Sequence, residues 1–358
     1  IRIFMMYHLA SIATTYWSAC NVIHYISFRA IIGLMTTFFM SLALGSRFID
    51  FSRKTFQNSA RPFTTQNHQA KGATPTMGGL FILGVSIINI MLWCNWSKAE
   101  LWIMTTTLIL FGLIGLLDDL FKAWYKKGIS ARLKLRLQLL CALGVALLWI
   151  WLKNPTWTIC APIFKGINVD IGYLLIPWII FIIVGTSNAV NLTDGLDGLA
   201  IGTLMFNFVF FASVAYLAGH AEFASYLQIP FADCSELAII GAILIGACLG
   251  FFWFNAHPAQ IFMGDVGSLS LGAALAMMSI IARQELLLPI AGGIFVLEAL
   301  SVIGQIFSIK TFGKKILHMA PLHHHFEMQG WSESKVTVRF QIITLLLCLC
   351  AAMMLKIR

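Results

Sequence analysis

The sequence predicts an all-α integral membrane protein with about ten transmembrane helices, both termini periplasmic, and its polar loops gathered on the cytoplasmic face. Three observations carry that expectation. The first is composition: 59% of the 358 residues are hydrophobic and only 11% charged, with a mean hydropathy of +0.84. A soluble domain carries roughly 25% charged residues. The second is a series of apolar runs about 20 residues long, the length needed to cross a hydrocarbon core. The third is the concentration of Lys and Arg in alternate loops.

Taken in order, the spans are expected at approximately 28–49, 78–95, 100–117, 131–152, 173–190, 196–218, 236–254, 266–283, 286–307 and 337–356. No linker, low-complexity tract or repeat separates them, so residues 1–358 are expected to form a single polytopic domain. Ten is even, which puts both termini on one side. Loop one carries Arg47, Arg53, Lys54, Arg61 and Lys71. Loop three and its flank carry Lys122, Lys126, Lys127, Arg132, Lys134 and Arg136, and loop nine and its flank carry Lys310, Lys314, Lys315, Lys335 and Arg339. These are two thirds of the chain's 24 basic residues. The positive-inside rule therefore places the odd loops in the cytoplasm and the termini outside. The formal charge of +9 is then a membrane signature, and no nucleic-acid partner is expected. Residues Ile1 to Ile26 mix Arg2, His8, Asn21 and His24 into an apolar run without a clear cleavage site, so no cleavable signal peptide is expected.

The eight cysteines show no metal-binding or disulfide spacing. Cys94, Cys141, Cys248, Cys348 and Cys350 lie in or beside apolar runs and read as small hydrophobes. Cys160 and Cys234 fall in loops on one expected side, which leaves a disulfide between them open. Asn95-Trp-Ser and Asn191-Leu-Thr fit the glycosylation pattern, but both hug a span and read as chance.

Five aspartates stand out against this background. Asp118, Asp119, Asp194, Asp197 and Asp265 all fall at span ends on the expected cytoplasmic face. Charges beside a bilayer core are costly and mark functional sites when retained. Asp118-Asp119 end the third span. Neighbouring helical residues point about 100° apart, so the two carboxylates should face different partners. The competing reading is a polar span end capped by the nearby Lys122. Between spans five and six, Asn191, Asp194 and Asp197 are spaced three apart and form one polar stripe if the helix continues through them. Gly195 and Gly198 allow a bend there. Asn255 and the run Met263-Gly-Asp265-Val-Gly-Ser268 bracket a short loop before span eight. Asp265 reads either as a helix N-cap or as a ligand to Mg²⁺, which takes oxygen donors and needs only one or two carboxylates. Several close acids without a cation would repel one another.

Loop nine contains Pro321-Leu-His323-His324-His325-Phe-Glu327. Consecutive residues rarely aim three nitrogens at one ion, and no cysteine lies nearby, so hydrogen bonding to a phosphate or sugar is expected instead of zinc binding. Lys71, ahead of Thr74-Pro-Thr76-Met-Gly-Gly79, joins Lys122 and Lys134 as a candidate phosphate ligand, though each lysine also fits an ordinary positive-inside flank.

Together, Lys71 to Gly79, Asp118-Asp119, Asn188 to Gly198, Asn255 to Ser268 and Ala320 to Glu327 resemble the phospho-N-acetylmuramoyl-pentapeptide transferase family. That family lies within the polyprenyl-phosphate N-acetylhexosamine-1-phosphate transferases. The resemblance runs from about Phe28 to the C-terminus. The triple-His run, followed by Gly330-Trp331 and Arg339-Phe340, is similar to the muramoyl-pentapeptide branch specifically. Ala73 and Gln341 depart from its usual Gly and Trp without removing a reacting group.

The resemblance implies an enzyme of the bacterial inner membrane, with a cytoplasmic active site and Mg²⁺ as cofactor. Its partners would be UDP-N-acetylmuramoyl-pentapeptide and the membrane lipid undecaprenyl phosphate, and its products lipid I and UMP. It also makes a homodimer a plausible assembly. On this reading Asp118, Asp119 and Asp265 are catalytic, and Asp265 with Asp194 holds the metal. Lys71, Thr76, Lys122, Lys134, Asn191, Asp194, Asp197, Asn255, Ser268, Gln305, His323, His324 and His325 bind substrate. Two other readings are weighed against it. A sister enzyme using UDP-N-acetylglucosamine calls for a His-x-His-His loop. An ion-coupled transporter calls for acids near mid-span, reachable from both sides.

Overall fold

The computed structural model describes residues 6–7, 17–55, 74–160 and 168–356. Its helices are α1 (Ile26–Thr55), α2 (Gly78–Trp93), α3 (Ala99–Tyr125), α4 (Ala131–Lys153), α5 (Leu175–Thr193), α6 (Leu199–Ala218), α7 (Ala221–Leu227), α8 (Ser235–Asn255), α9 (Gly264–Ile281), α10 (Leu288–Ala291), α11 (Gly293–Phe312), α12 (Leu322–Met328) and α13 (Glu333–Met354). Between α4 and α5 a two-stranded antiparallel ribbon pairs β1 (Thr158–Cys160) with β2 (Asn168–Asp170). Among the described residues nine helices are long and apolar enough to span a membrane, and α2 is a shorter apolar one. The chain is an all-α membrane protein, as its composition implies.

Two helices form the centre. The apolar windows of α8 and α9 are 83% and 89% buried, whereas those of α1, α4, α11 and α13 lie mostly open. α8 packs chiefly on α1 and α6, and α9 on α3 and α5. Both central helices are rich in Ala, Gly and Ser, which lets backbones approach where the hydrophobic effect gives lipid-immersed helices no drive to associate. The outward faces carry Ile31, Phe39, Leu140, Phe181, Ile303 and Leu346, all exposed in the isolated chain, as lipid-facing positions require.

Two spans differ from the sequence expectation. The second is only 16 residues long, about 24 Å of helix against a core of ~30 Å. Its approach is irregular but buried. Phe262 N–H donates to Pro75 O, and Gly78 and Gly79 N–H donate to the Phe262 and Met263 carbonyls. Non-helical backbone at membrane depth is stable only when protein satisfies it in this way. The ninth span, expected at 286–307, is broken. Pro289 starts the one-turn α10, Gly292 ends it, and the long helix runs 293–312.

The bundle's two ends carry different chemistry. At one end Arg29 holds Glu236 bidentately at 2.9 and 2.6 Å, Lys98 pairs with Asp233 at 2.9 Å, and Lys153 pairs with Glu100. Cys160 and Cys234 are separate buried thiols, with Sγ near Arg283 and Ala215 O respectively, so no disulfide joins them. At the opposite end lie all five aspartates.

Candidate active site

Asp118 and Asp119 end the buried face of α3 and turn to different elements. Asp118 Oδ1 accepts the Ile129 N–H at 2.8 Å, from the loop entering α4. Asp119 Oδ2 accepts the Val266 N–H at 3.2 Å, from the first turn of α9. Asp265 opens α9 and is brought against them because Gly115 lets the helices touch. A Cβ on Gly115 would sit 2.3 Å from the Asp265 carbonyl oxygen.

Two lysines thread these acids. Lys122 Nζ lies 2.8 Å from Asp118 Oδ2, 2.8 Å from Asp265 Oδ1 and 3.5 Å from Asp119 Oδ1. Lys134 reaches Asp265 and, at 3.4 Å, Asp118. Asp194 completes the group and accepts the Gly264 N–H. Burial, then the charges of Asp265 and Asp119, push Asp194 up to about 7 despite Lys122 and that hydrogen bond. Four carboxylates gather around two ammonium groups, so the acids outnumber the bases. A hard divalent ion fits both that excess and the all-oxygen donor set. Phosphate groups brought in with such an ion would find Lys122 and Lys134 already there.

The stripe expected from Asn191, Asp194 and Asp197 does not form, because α5 ends at Thr193. The chain then turns through Asp194-Gly195-Leu196 to Gly198, at φ +73°, which opens α6. The three side chains diverge. Asn191 donates to Ser268 Oγ at 2.8 Å, tying α5 to α9. Asp194 joins the carboxylates. Asp197 faces away, toward His257 Nδ1 and the Ala259 N–H, each 3.1 Å from its Oδ2. Among the described residues, Asp197, His257 and Glu333 are the His and acid donors that converge within 4.8 Å of one another, a second arrangement able to hold a cation. Asp118, Asp119 and Asp265 instead bracket lysines.

Three polar candidates are occupied in holding the frame. Asn255 accepts the Gly198 N–H and donates to Ile261 O, at 3.1 and 2.8 Å. Gln305 accepts the Ile316 and Leu317 N–H groups and donates to Leu317 O, so it shapes the approach to α12. Ser268 donates to Gly264 O at 3.0 Å. Thr76 lies beside the strand-like pairing that precedes Asp265, its carbonyl accepting from Ser52. Lys71 lies outside the described residues.

The three histidines point three ways, as consecutive residues of a short helix must. His323 is buried against Gly195, where a Cβ would lie 2.2 Å from Nε2, and its Nδ1 lies 3.1 Å from Glu298 Oε2. His324 Nδ1 meets Glu327 at 2.7 Å. His325 Nδ1 accepts the His318 N–H, and its ring stacks on that of His318. Beneath them Phe326 stacks on Trp331 at 4.6 Å between centroids, over a small apolar cluster of Leu196, Leu199, Ile294, Val336 and Phe340.

One residue absent from the sequence reading is Glu298. It is completely buried on α11 and accepts the Leu322 and His323 N–H groups at 2.9 and 3.1 Å, capping α12. An acid inside the ninth apolar run was the available signal, since membrane-buried carboxylates need a stated partner.

A family model described as glycosyl transferase family 4 matches residues 101–283, which include all five aspartates. The phospho-N-acetylmuramoyl-pentapeptide-transferase of Aquifex aeolicus is 43% identical over 359 aligned residues, spanning 99% of this chain and 100% of the relative.

Proposed function

Because the chain belongs to the phospho-N-acetylmuramoyl-pentapeptide-transferase family, within glycosyl transferase family 4, we propose that it moves phospho-N-acetylmuramoyl-pentapeptide from its UDP carrier to undecaprenyl phosphate. The products are lipid I and UMP. The observation that carries this is the group of four aspartates and two lysines at one end of the bundle, in which the acids outnumber the bases. The reading places the protein in the bacterial inner membrane, with this end and the odd loops cytoplasmic.

Asp265 is assigned to hold Mg²⁺, with Asp194 beside it. When bound, the ion neutralises the diphosphate and polarises the attacked phosphorus. Asp118, fixed by the Ile129 N–H, orients the lipid phosphate or takes its last proton. A phosphate monoester has a second pKa near 6, so at neutral pH little base catalysis is required. Asp119 braces the start of α9. Lys122 and Lys134 exchange carboxylate partners for phosphate oxygens as substrate enters. The α12 histidines and the 194–198 turn border the space left for the soluble substrate.

The test is UMP release by purified protein given undecaprenyl phosphate and either UDP-N-acetylmuramoyl-pentapeptide or UDP-N-acetylglucosamine, with and without Mg²⁺. Turnover restricted to the first sugar and dependent on Mg²⁺ is expected. Equal turnover with the second, or full activity of Asp265→Ala, overturns the assignment. Incubation with the UDP-sugar alone, followed by a search for phosphorylated Asp118, separates direct transfer from a phospho-enzyme route.

A further inference from the structure

Asp197 was expected beside the other acids, yet its carboxylate is turned away from them and almost fully buried, with its side chain 1% exposed. What it meets is a clamp built from two other elements. His257 Nδ1, on the loop after α8, lies 3.1 Å from Asp197 Oδ2 and 3.6 Å from Glu333 Oε2 at the start of α13. Asp197 Oδ2 also accepts the Ala259 N–H, and Glu333 Oε1 accepts the Asp197 N–H at 2.7 Å. An ionised carboxylate only accepts, so a ring N–H at Nδ1 can bridge the two.

The clamp sits behind the turn that joins the two halves of the site. On its front edge Asp194 faces Asp265 and Asp119, and Gly195 packs under His323. On its back edge the Asp197 carbonyl accepts from Thr337 Oγ1 at 3.2 Å, and the Gly198 carbonyl accepts from Gln341 Nε2 at 3.0 Å. These last ties are neutral. His257 supplies the one group in the clamp that can carry positive charge, and it separates two carboxylates that would otherwise face each other. Without it the acids repel, and the turn carrying Asp194 and Gly195 loses the register that places both.

We infer that His257 is a positioning residue: with Glu333 it locks the Asp194–Gly198 turn in the geometry that receives the nucleotide-sugar. The inference rests on the function proposed above for its substrate. Its mechanical part, fixation of the turn, stands without that function. It also accounts for Asp197 and Glu333 as a pair, which neither a metal centre of four aspartates nor a helix cap does.

Steady-state UMP release is to be measured for wild type, His257→Ala, His257→Gln, Glu333→Ala and the His257→Ala/Glu333→Ala double variant, varying each substrate separately. Hydrogen exchange of the peptide spanning 194–198 and thermal midpoints are to be followed alongside. His257→Ala should raise KM for the nucleotide-sugar about tenfold, leave KM for undecaprenyl phosphate within twofold, and speed exchange in the turn. His257→Gln, which keeps a neutral donor, should recover most of the loss. The double variant should lose less than the product of the single losses, because Asp197 then faces no second carboxylate. Unchanged KM and unchanged exchange in His257→Ala overturn the clamp. So does an equal fall in kcat with both substrates and a lowered midpoint, since that marks general instability. A wild type that releases no UMP, but whose turn still exchanges faster on His257→Ala, defeats the proposed function and leaves the clamp standing.

Discussion

Replacing Glu298 by alanine tests how the histidine helix is held. The carboxylate is fully buried, and its loss strands the Leu322 and His323 N–H groups, which now donate to it at 2.9 and 3.1 Å. Each orphaned buried donor costs about 1–3 kcal/mol, so the pair amounts to roughly 2–6 kcal/mol. α12 has seven residues, and helices shorter than about 12 residues are marginal alone. It should therefore shift to find new acceptors, carrying His323 off Gly195. With about 1.4 kcal/mol per tenfold, even the lower half of that range predicts a fall in kcat/KM of about a hundredfold. Glu298→Gln keeps a carbonyl oxygen of the same reach and should lose about tenfold. UMP release under Mg²⁺, with a fluorescence-monitored thermal midpoint as control, reads both variants. Glu298→Ala activity within threefold of wild type would refute the capping argument.

Other predictions follow from single contacts. Gly115→Ala drives a methyl group into the Asp265 carbonyl, at 2.3 Å, and should abolish UMP release. Gly84→Ala, with nothing within 4 Å, should be silent in the same assay. Glu285, buried and pushed up to about 7 chiefly by burial, binds more protons folded than unfolded between about 4.5 and 7. Stability should therefore fall as pH rises through that window, by on the order of 2–3 kcal/mol. Thermal midpoints from pH 5 to 8 should show this in wild type and lose it in Glu285→Gln. Reducing agent should leave the midpoint unchanged, because Cys160 and Cys234 are both free. Burial pushes the Cys234 thiol up to about 12, so alkylation of Cys234 in the folded protein at pH 8 should be slow by mass spectrometry.

Hydropathy and charge bias alone determined the membrane class and the clustering of acids at one end, because a bilayer imposes length and polarity on each span independently of its neighbours. The Asp118-Asp119 pair, Asp265 and the lysines were legible for the same reason: each is a costly charge at a span end. The rest depended on non-local contacts. Spacing put Asn191, Asp194 and Asp197 on one stripe, but α5 stops at Thr193 and the turn sends Asp197 to His257 and Glu333. Asn255 and Gln305 read as substrate ligands in the sequence, and only packing reveals the backbone groups their amides also hold. Glu298 hid inside an apolar run because its partners lie 24 and 25 residues downstream. Sequence fixes which groups must be expensive to bury, and only the tertiary structure decides which neighbour relieves each one.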